Sequence, residues 1–305
     1  MTKVIAIVGP TAVGKSALGL QLAKEFPGEI ISGDSMQIYR HLNIGTAKDS
    51  PDELKMVPHH LVDICDVDQR YTVKDFQSNA RKIIQQLTKE NIIPFIVGGT
   101  GFYLNSLIQN LDLGGQQDAD DSLRSRISKI EQEQGIDGLQ DYLQQLDPKA
   151  YQKIDIDNPR RVIRAIEVFE TSGHSITEQE NGQSFAEFYL IGLTDDRQKL
   201  YQRINSRVDK MIDLGLINEA RPVYQRQKDI PQAKNGIGYK ELFPYFAGDA
   251  SLDECVIEIK KNSRHFAKRQ LTYFRNQMQV NWHNISEEPD YLENIRTEVS
   301  KFLAK

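Results

Sequence analysis

Cysteine is nearly missing from this chain. Among 305 residues only Cys65 and Cys255 carry a thiol, far apart and in no C-x-x-C pair. That spacing gives no support to a disulfide framework or a structural zinc site, and two buried thiols is the reading that remains. Histidine forms no metal array either: His59 and His60 are adjacent, while His41, His174, His265 and His283 are scattered. Long apolar runs are absent. The run Val4 to Val8 stops at Gly9, and no later stretch approaches the ~18 apolar residues of a membrane span. The expectation is a soluble, cytoplasmic protein with no membrane contact. Basic charge is also short, with 38 Lys and Arg against 43 Asp and Glu for a net charge of −5, which on the sum argues against a nucleic-acid partner. The distribution argues the other way. Lys260, Lys261, Arg264, Lys268, Arg269 and Arg275 fall in one stretch without an acid, so a local surface can be strongly positive in an acidic protein. Internal repeats and low-complexity tracts are lacking too. At 39% hydrophobic the chain can bury a core large enough for two domains, or for one domain with an insertion.

What is present begins with Gly9, Pro10, Thr11, Ala12, Val13, Gly14, Lys15 and Ser16, a G-x-x-x-x-G-K-[ST] phosphate loop directly after an apolar strand. The two glycines let the backbone wrap until consecutive N–H groups face one anion, and the helix that follows offers its positive end. Lys15 adds a mobile charge, and the Ser16 hydroxyl can hold Mg²⁺. The loop alone names no particular phosphate compound.

The first hundred or so residues alternate strand-like and helical patterns, which predicts a parallel sheet covered by helices. Strands are expected at Val4–Val8, Glu29–Ser32, Leu61–Ile64 and Ile92–Val97, and helices at Lys15–Lys24, Val73–Lys89 and Phe102–Gln109. Three polar loops follow strands: Gly9–Ser16, Gly33–Tyr39 and Gly98–Gly101. At the carboxyl ends of an open sheet they should converge on one cleft. A polar joint at Gly114–Asp121 opens a helical block at 115–184, with helices expected at Ser122–Glu133, Ile136–Leu146 and Asn158–Thr171. Phe185–Leu193 reads as a returning strand. Residues 185–305 then complete the core, with helices at Asp209–Ala220 and Ser251–Gln279 and a last strand at Val280–His283. The fold class is therefore α/β, a P-loop NTPase-like parallel sheet core (1–114 and 185–305) with a mostly helical insertion.

Asp34 lies just past the second strand, beside the phosphate loop. A carboxylate there can ligate a metal, act as a base toward a nucleophile, or cap the next segment. Leu61-Val62-Asp63 resembles the strand-plus-Asp of a Walker B site, a common pattern. Gly98-Gly99-Thr100-Gly101 carries no acid and offers N–H groups and the Thr100 hydroxyl, suited to positioning a ligand or to close packing of strand on helix. Arg160 and Arg164 lie four apart on one helix face, with Arg161 between them, an arrangement that suits phosphate-backbone contact or simple solvation. Arg221 precedes Pro222 as an isolated cation. Gly236-Ile237-Gly238-Tyr239-Lys240 supplies a turn with an aromatic and a cation.

Taken in order, GPTAVGKS, SGDSMQIYR, IGTAK, VGGTGFYL, NPRRVIRAIEVF, GIGYKEL and KRQLTYFR closely resemble the tRNA dimethylallyltransferases across nearly the whole chain. The resemblance implies transfer of the dimethylallyl group from its diphosphate to N6 of adenosine 37, in tRNAs reading codons that begin with U. On that reading Asp34 serves the amine, Thr11 and Thr100 orient the reactants, and Arg221, Lys15 and Mg²⁺ on Ser16 offset the charge of the leaving diphosphate. The tRNA anticodon stem-loop would be held by Asp34, Ser35, Met36, Gln37, Arg160, Arg161, Arg164, Gly236, Gly238, Tyr239, Lys240, Lys268 and Arg269. A monomer is expected. The competing readings are an adenylate isopentenyltransferase acting on free nucleotide, and an ATP-driven kinase or switch that binds RNA.

Overall fold

A computed structural model describes residues 2–113, 121–178 and 182–305, so residues 114–120 of the expected joint lie outside the described residues. The chain divides into two compact units, Met1–Ile108 with Ser184–Lys305, and Gln109–Gln183.

In the first unit the strands are β1 (Lys3–Val8), β2 (Gly28–Ser32), β3 (His59–His60), β4 (Ile93–Val97), β5 (Glu187–Thr194) and β6 (Asn281–Asn284). They form one six-stranded sheet in the order β3-β2-β4-β1-β5-β6, every pairing parallel, with β1 between β4 and β5. Helices α1 (Lys15–Glu25), α2 (Pro51–Met56), α3 (Val73–Lys89) and α4 (Gly101–Ile108) belong to its first part. The second unit holds α5 (Asp121–Leu146), α6 (Pro148–Lys153) and α7 (Pro159–Ser172). The first unit resumes with α8 (Arg197–Asp213), α9 (Leu216–Gln225), α10 (Phe243–Ala247), α11 (Leu252–Gln277) and α12 (Tyr291–Ala304).

Side chains of β1 alternate between two cores, as the period of two in a strand requires. Val4, Ala6 and Val8 join Phe76, Ala80, Ile84 and Leu87 of α3 and Leu104 of α4. Ile5 and Ile7 face the other way, into Leu18 and Leu22 of α1, Leu200 and Ile204 of α8 and Ile295 and Val299 of α12. Covering both faces buries Val4–Val8 of the central strand and leaves the carboxyl ends of β1, β2 and β4 as the place where polar loops meet. Helix starts are set locally. Thr72 with Asp75 and Ser251 with Glu254 form capping boxes that satisfy the first N–H groups of α3 and α11.

The second unit packs Leu123, Ile127, Leu139 and Leu143 of α5 against Ala150 of α6 and Val162, Ala165 and Ile166 of α7. Its long helix departs from helical geometry at Gly135, which divides it where the sequence pattern places a gap between two helices.

Two expectations need correction. The third strand is His59–His60 rather than Leu61–Ile64, because Leu61 and Asp63 take positive φ and turn the chain out of the sheet. Asp63 then pairs with Lys48 at 2.5 Å, and it does not line the central cleft in the manner of a Walker B acid. The helix expected over Asp209–Ala220 is two helices, α8 and α9, broken at Gly215.

Candidate active site

Gly14 caps α1 with φ 105°, in the left-handed region that favours glycine, and supplies no side chain to the first-turn N–H groups. Those groups therefore open onto the cleft, as an anion site requires. Lys15 Nζ donates to the Pro10 carbonyl at 2.8 Å, which folds the ammonium back over its own loop. Val13 is part of the core, so it builds the loop from behind.

The cleft measures about 980 Å³. Thr11, Ala12, Gly14, Lys15 and Ser16 line it from the phosphate loop, and Asp34, Ser35, Met36 and Gln37 from the loop after β2. Gly45 to Ala47, Gly98 and Gly99, and Gly236, Gly238 and Lys240 complete the polar rim. The rest of the wall comes from α8 and α11: Arg203, Arg207, Ile204, Val208 and Met211, with Ile259, Phe266, Arg269 and Gln270. The three loops expected at one cleft do meet there.

Electrostatically the centre is a triangle of Lys15, Arg207 and Asp34. Burial brings Lys15 down to a pKa of about 8, Arg207 pushes in the same direction, and Asp34 opposes. Arg207 is itself lowered by burial, while the carboxylates of Asp34 and Asp49 hold it up. Asp34 Oδ1 accepts the Met36 N–H at 2.8 Å, which fixes the carboxyl plane. Thr100 does not line the cavity. Its Oγ1 accepts the Ser35 N–H at 3.0 Å and lies 3.3 Å from the Ser35 hydroxyl, so it orients the loop that carries Asp34.

Arg221 lies elsewhere. It is an exposed residue of α9 whose guanidinium sits 4.8 Å over the ring of Phe246, and it does not line the cleft. The cation at the phosphate loop is Arg207 of α8, whose Nη1 donates to Thr11 Oγ1 at 3.1 Å. Tyr239 also departs from its expected role. It is fully buried, its hydroxyl donates to Glu219 at 2.7 Å, and burial raises its pKa, so it offers RNA no surface. Glu219 in turn accepts the N–H groups of Asn43, Ile44 and Gly45 at 2.8–3.0 Å, which holds the Gly45–Ala47 rim in place. Nothing in sequence spacing marks Glu219 or Arg207. The one available clue to Arg207 is its place one residue before Val208, at the border of an apolar stripe that also contains Leu200 and Ile204.

Of the basic run on α11, Lys260 pairs with Asp209, Lys261 with Glu258, Arg264 donates to Asn205, and Arg275 lies over Trp282. Lys268 and Arg269 line a second groove of about 490 Å³ with His265, Thr272, Tyr273 and Asn276, and Arg269 borders the central cleft as well. Within the second unit Arg160, Arg161 and Arg164 are exposed on α7. Arg161 pairs with Asp155, while Arg164 donates to the Leu113 carbonyl and approaches Glu167.

A family model described as IPP transferase matches residues 37–277. This chain belongs to the IPP transferase family. The phosphate loop precedes that match but falls inside full-length similarity. The tRNA dimethylallyltransferase of Latilactobacillus sakei is 48% identical over 99% of both chains, and that of Limosilactobacillus reuteri 49% over all of both. Among solved structures, the tRNA isopentenylpyrophosphate transferase of Bacillus halodurans superposes with TM-score 0.73 at 41% identity, covering 100% of this chain and 99% of the other. A eukaryotic dimethylallyltransferase described as acting on tRNA gives TM-score 0.79 at 28% identity, covering 97% and 78%.

Proposed function

We propose that this chain is a transferase that moves the dimethylallyl group from dimethylallyl diphosphate to N6 of an adenosine beside a tRNA anticodon, adenosine 37, and releases diphosphate. The observation that carries the reading is the composition of one cleft. Lys15, Arg207 and the α1 N-terminus gather positive charge at the phosphate loop, Asp34 supplies a carboxylate across from it, and Ile204, Val208, Met211, Ile259 and Phe266 give an apolar wall for a prenyl chain. The Gly98–Gly101 loop brings no acid to activate water for ATP hydrolysis.

The residues then divide the work. The N6 nitrogen forms a bond to C1 of the prenyl group as the C1–oxygen bond breaks, and that electron pair leaves with diphosphate. The proton lost from N6 passes to Asp34 Oδ2, the oxygen not held by Met36. Lys15, Arg207 and the loop N–H groups meet the charge that grows on the leaving oxygen. Among the described residues no cluster of three His, Cys, Asp or Glu is arranged to hold a metal. Magnesium would therefore draw its oxygens from diphosphate, water and the Ser16 hydroxyl on the cleft, a donor set that suits this ion. When bound it would add positive charge at the diphosphate. Lys268 and Arg269 would meet the RNA backbone outside the cleft, and unstacking the target base costs least in a single-stranded loop.

The test is to incubate the protein with dimethylallyl diphosphate labelled at C1 and offer tRNA, AMP or ATP in turn. Label in tRNA alone supports the proposal. Label in AMP alone points to a free-nucleotide prenyltransferase, and phosphate release from ATP without label in tRNA overturns the reading.

A further inference from the structure

Gln270 is a side chain that none of the roles above uses. It lies on α11, next to Arg269, and is buried with 5% of its surface exposed. Its carbonyl oxygen accepts the Thr11 N–H at 2.8 Å, and its amide nitrogen donates to the Gly99 carbonyl at 2.9 Å. The chemistry of those partners fixes the amide orientation, since a backbone N–H only donates and a carbonyl only accepts. Gly99 makes room for it: a Cβ there would stand 2.1 Å from Gln270 Nε2, with Lys15 Nζ 3.7 Å away.

The two bonds complete a chain of contacts across the cleft. Arg207 donates to Thr11 Oγ1, Thr11 N–H donates to Gln270, and Gln270 donates to Gly99. Thr100 next in sequence accepts the Ser35 N–H, beside Asp34. One end of this chain holds the loop that would bind diphosphate, and the other holds the carboxylate that would serve the amine. A change in their separation misaligns two reacting groups, and a misplacement of 1 Å can cost ~100-fold in rate.

We propose that Gln270 is a positioning residue, setting the register between the phosphate loop and the Gly98–Thr100 loop and so aligning the prenyl donor with its acceptor. The proposal rests on the transferase reading above. Gln270→Leu keeps the volume and removes both bonds. Its single-turnover transfer rate at saturating substrates should fall roughly 100-fold, while tRNA affinity measured in a separate titration stays within about threefold, the spread expected of context alone. Gln270→Glu supplies a second readout. An ionised carboxyl accepts from Thr11 but repels the Gly99 carbonyl, whereas the protonated acid restores one acceptor and one donor. Beside the Lys15 ammonium that carboxyl stays ionised from pH 6 to 8, so transfer by this variant should be slow while its apparent affinities for donor and tRNA stay near wild type, a split that a collapsed site would not produce. If wild type transfers label and Gln270→Leu does so at the same rate, the positioning role is overturned and the function stands. It is equally overturned if both variants lose donor and tRNA affinity along with the rate. If wild type transfers no label, the function itself fails.

Discussion

Arg207 and Thr11 are 196 residues apart in sequence, yet the guanidinium Nη1 of one lies 3.1 Å from the hydroxyl of the other. That bond ties α8 to the phosphate loop and places a second cation beside Lys15. Replacing Arg207 with Gln should remove charge that acts as diphosphate leaves, lowering kcat/KM for the donor by ~100- to 1,000-fold. Arg221→Gln should leave it within about threefold, since its guanidinium rests on Phe246 outside the cleft. Parallel kinetics of the two variants distinguish these positions.

Lys15 gives a pH signature. In the ligand-free protein it loses its proton near pH 8, pulled down chiefly by burial. Anion binding needs the ammonium, so affinity for inorganic pyrophosphate should be insensitive to this group below pH 8 and fall as pH rises above it, toward about tenfold per pH unit. Titration calorimetry between pH 7 and 9.5 measures this slope. The stability sign is opposite. The unfolded chain holds the lysine proton up to about 10.4, so between pH 8 and that value the unfolded state binds more protons and stability rises with pH. Lys15→Met should accordingly stabilise the ligand-free protein at pH 7, by on the order of 1–2 kcal/mol, while abolishing pyrophosphate binding. Denaturant melts of the two proteins give the difference.

Glu219 accepts three backbone N–H groups and the Tyr239 hydroxyl. Glu219→Ala would strand those donors, and its unfolding free energy should fall by about 3 kcal/mol. Tyr239→Phe removes only one donor and leaves the rest of the cluster, so about 1 kcal/mol is expected. Chemical denaturation of both variants checks the ratio.

Lys268 and Arg269 share the outer groove on α11, and Arg269 also borders the cleft. Alanine at both should weaken tRNA binding and reduce the slope of log K against log salt by about 1.4, at ~0.7 for each contact to a single-stranded phosphate. Binding isotherms over a range of salt concentrations test it. An unchanged slope would move the RNA surface off this helix.

The elements that sequence pattern makes legible are those built by local repetition. The Val4–Val8 run followed by two spaced glycines and a Lys-Ser pair specifies strand, loop and helix within a short window. The gap between two helical patterns falls at the Gly135 kink in the same way. A two-residue strand such as His59–His60 has no period to detect, which is why the expected strand lies a few residues late. The site was half legible. Asp34, Lys15 and the glycine loops follow strands, where ligands gather. Arg207, Glu219 and Gln270 reach the cleft loops through contacts 171 to 259 residues apart in sequence, and a helical side chain that reaches a distant loop has the same local pattern as one that reaches water. Arg221 and Arg207 are alike as sequence letters, and only packing separates them.

Asp34→Asn isolates the acid–base role. Asparagine keeps an oxygen for the Met36 N–H and so preserves the loop, but it cannot take the proton from the amine. Transfer should be lost while tRNA affinity stays within about threefold of wild type. Equal turnover by the variant would refute the base assignment.

The most direct measurement is product stoichiometry. The protein is incubated with tRNA and dimethylallyl diphosphate labelled at C1, the tRNA is digested to nucleosides for mass analysis, and pyrophosphate and orthophosphate are measured in the same sample. One N6-dimethylallyladenosine beside the anticodon is expected for each pyrophosphate released, with no orthophosphate from added ATP. Unmodified tRNA together with orthophosphate released from ATP would contradict it.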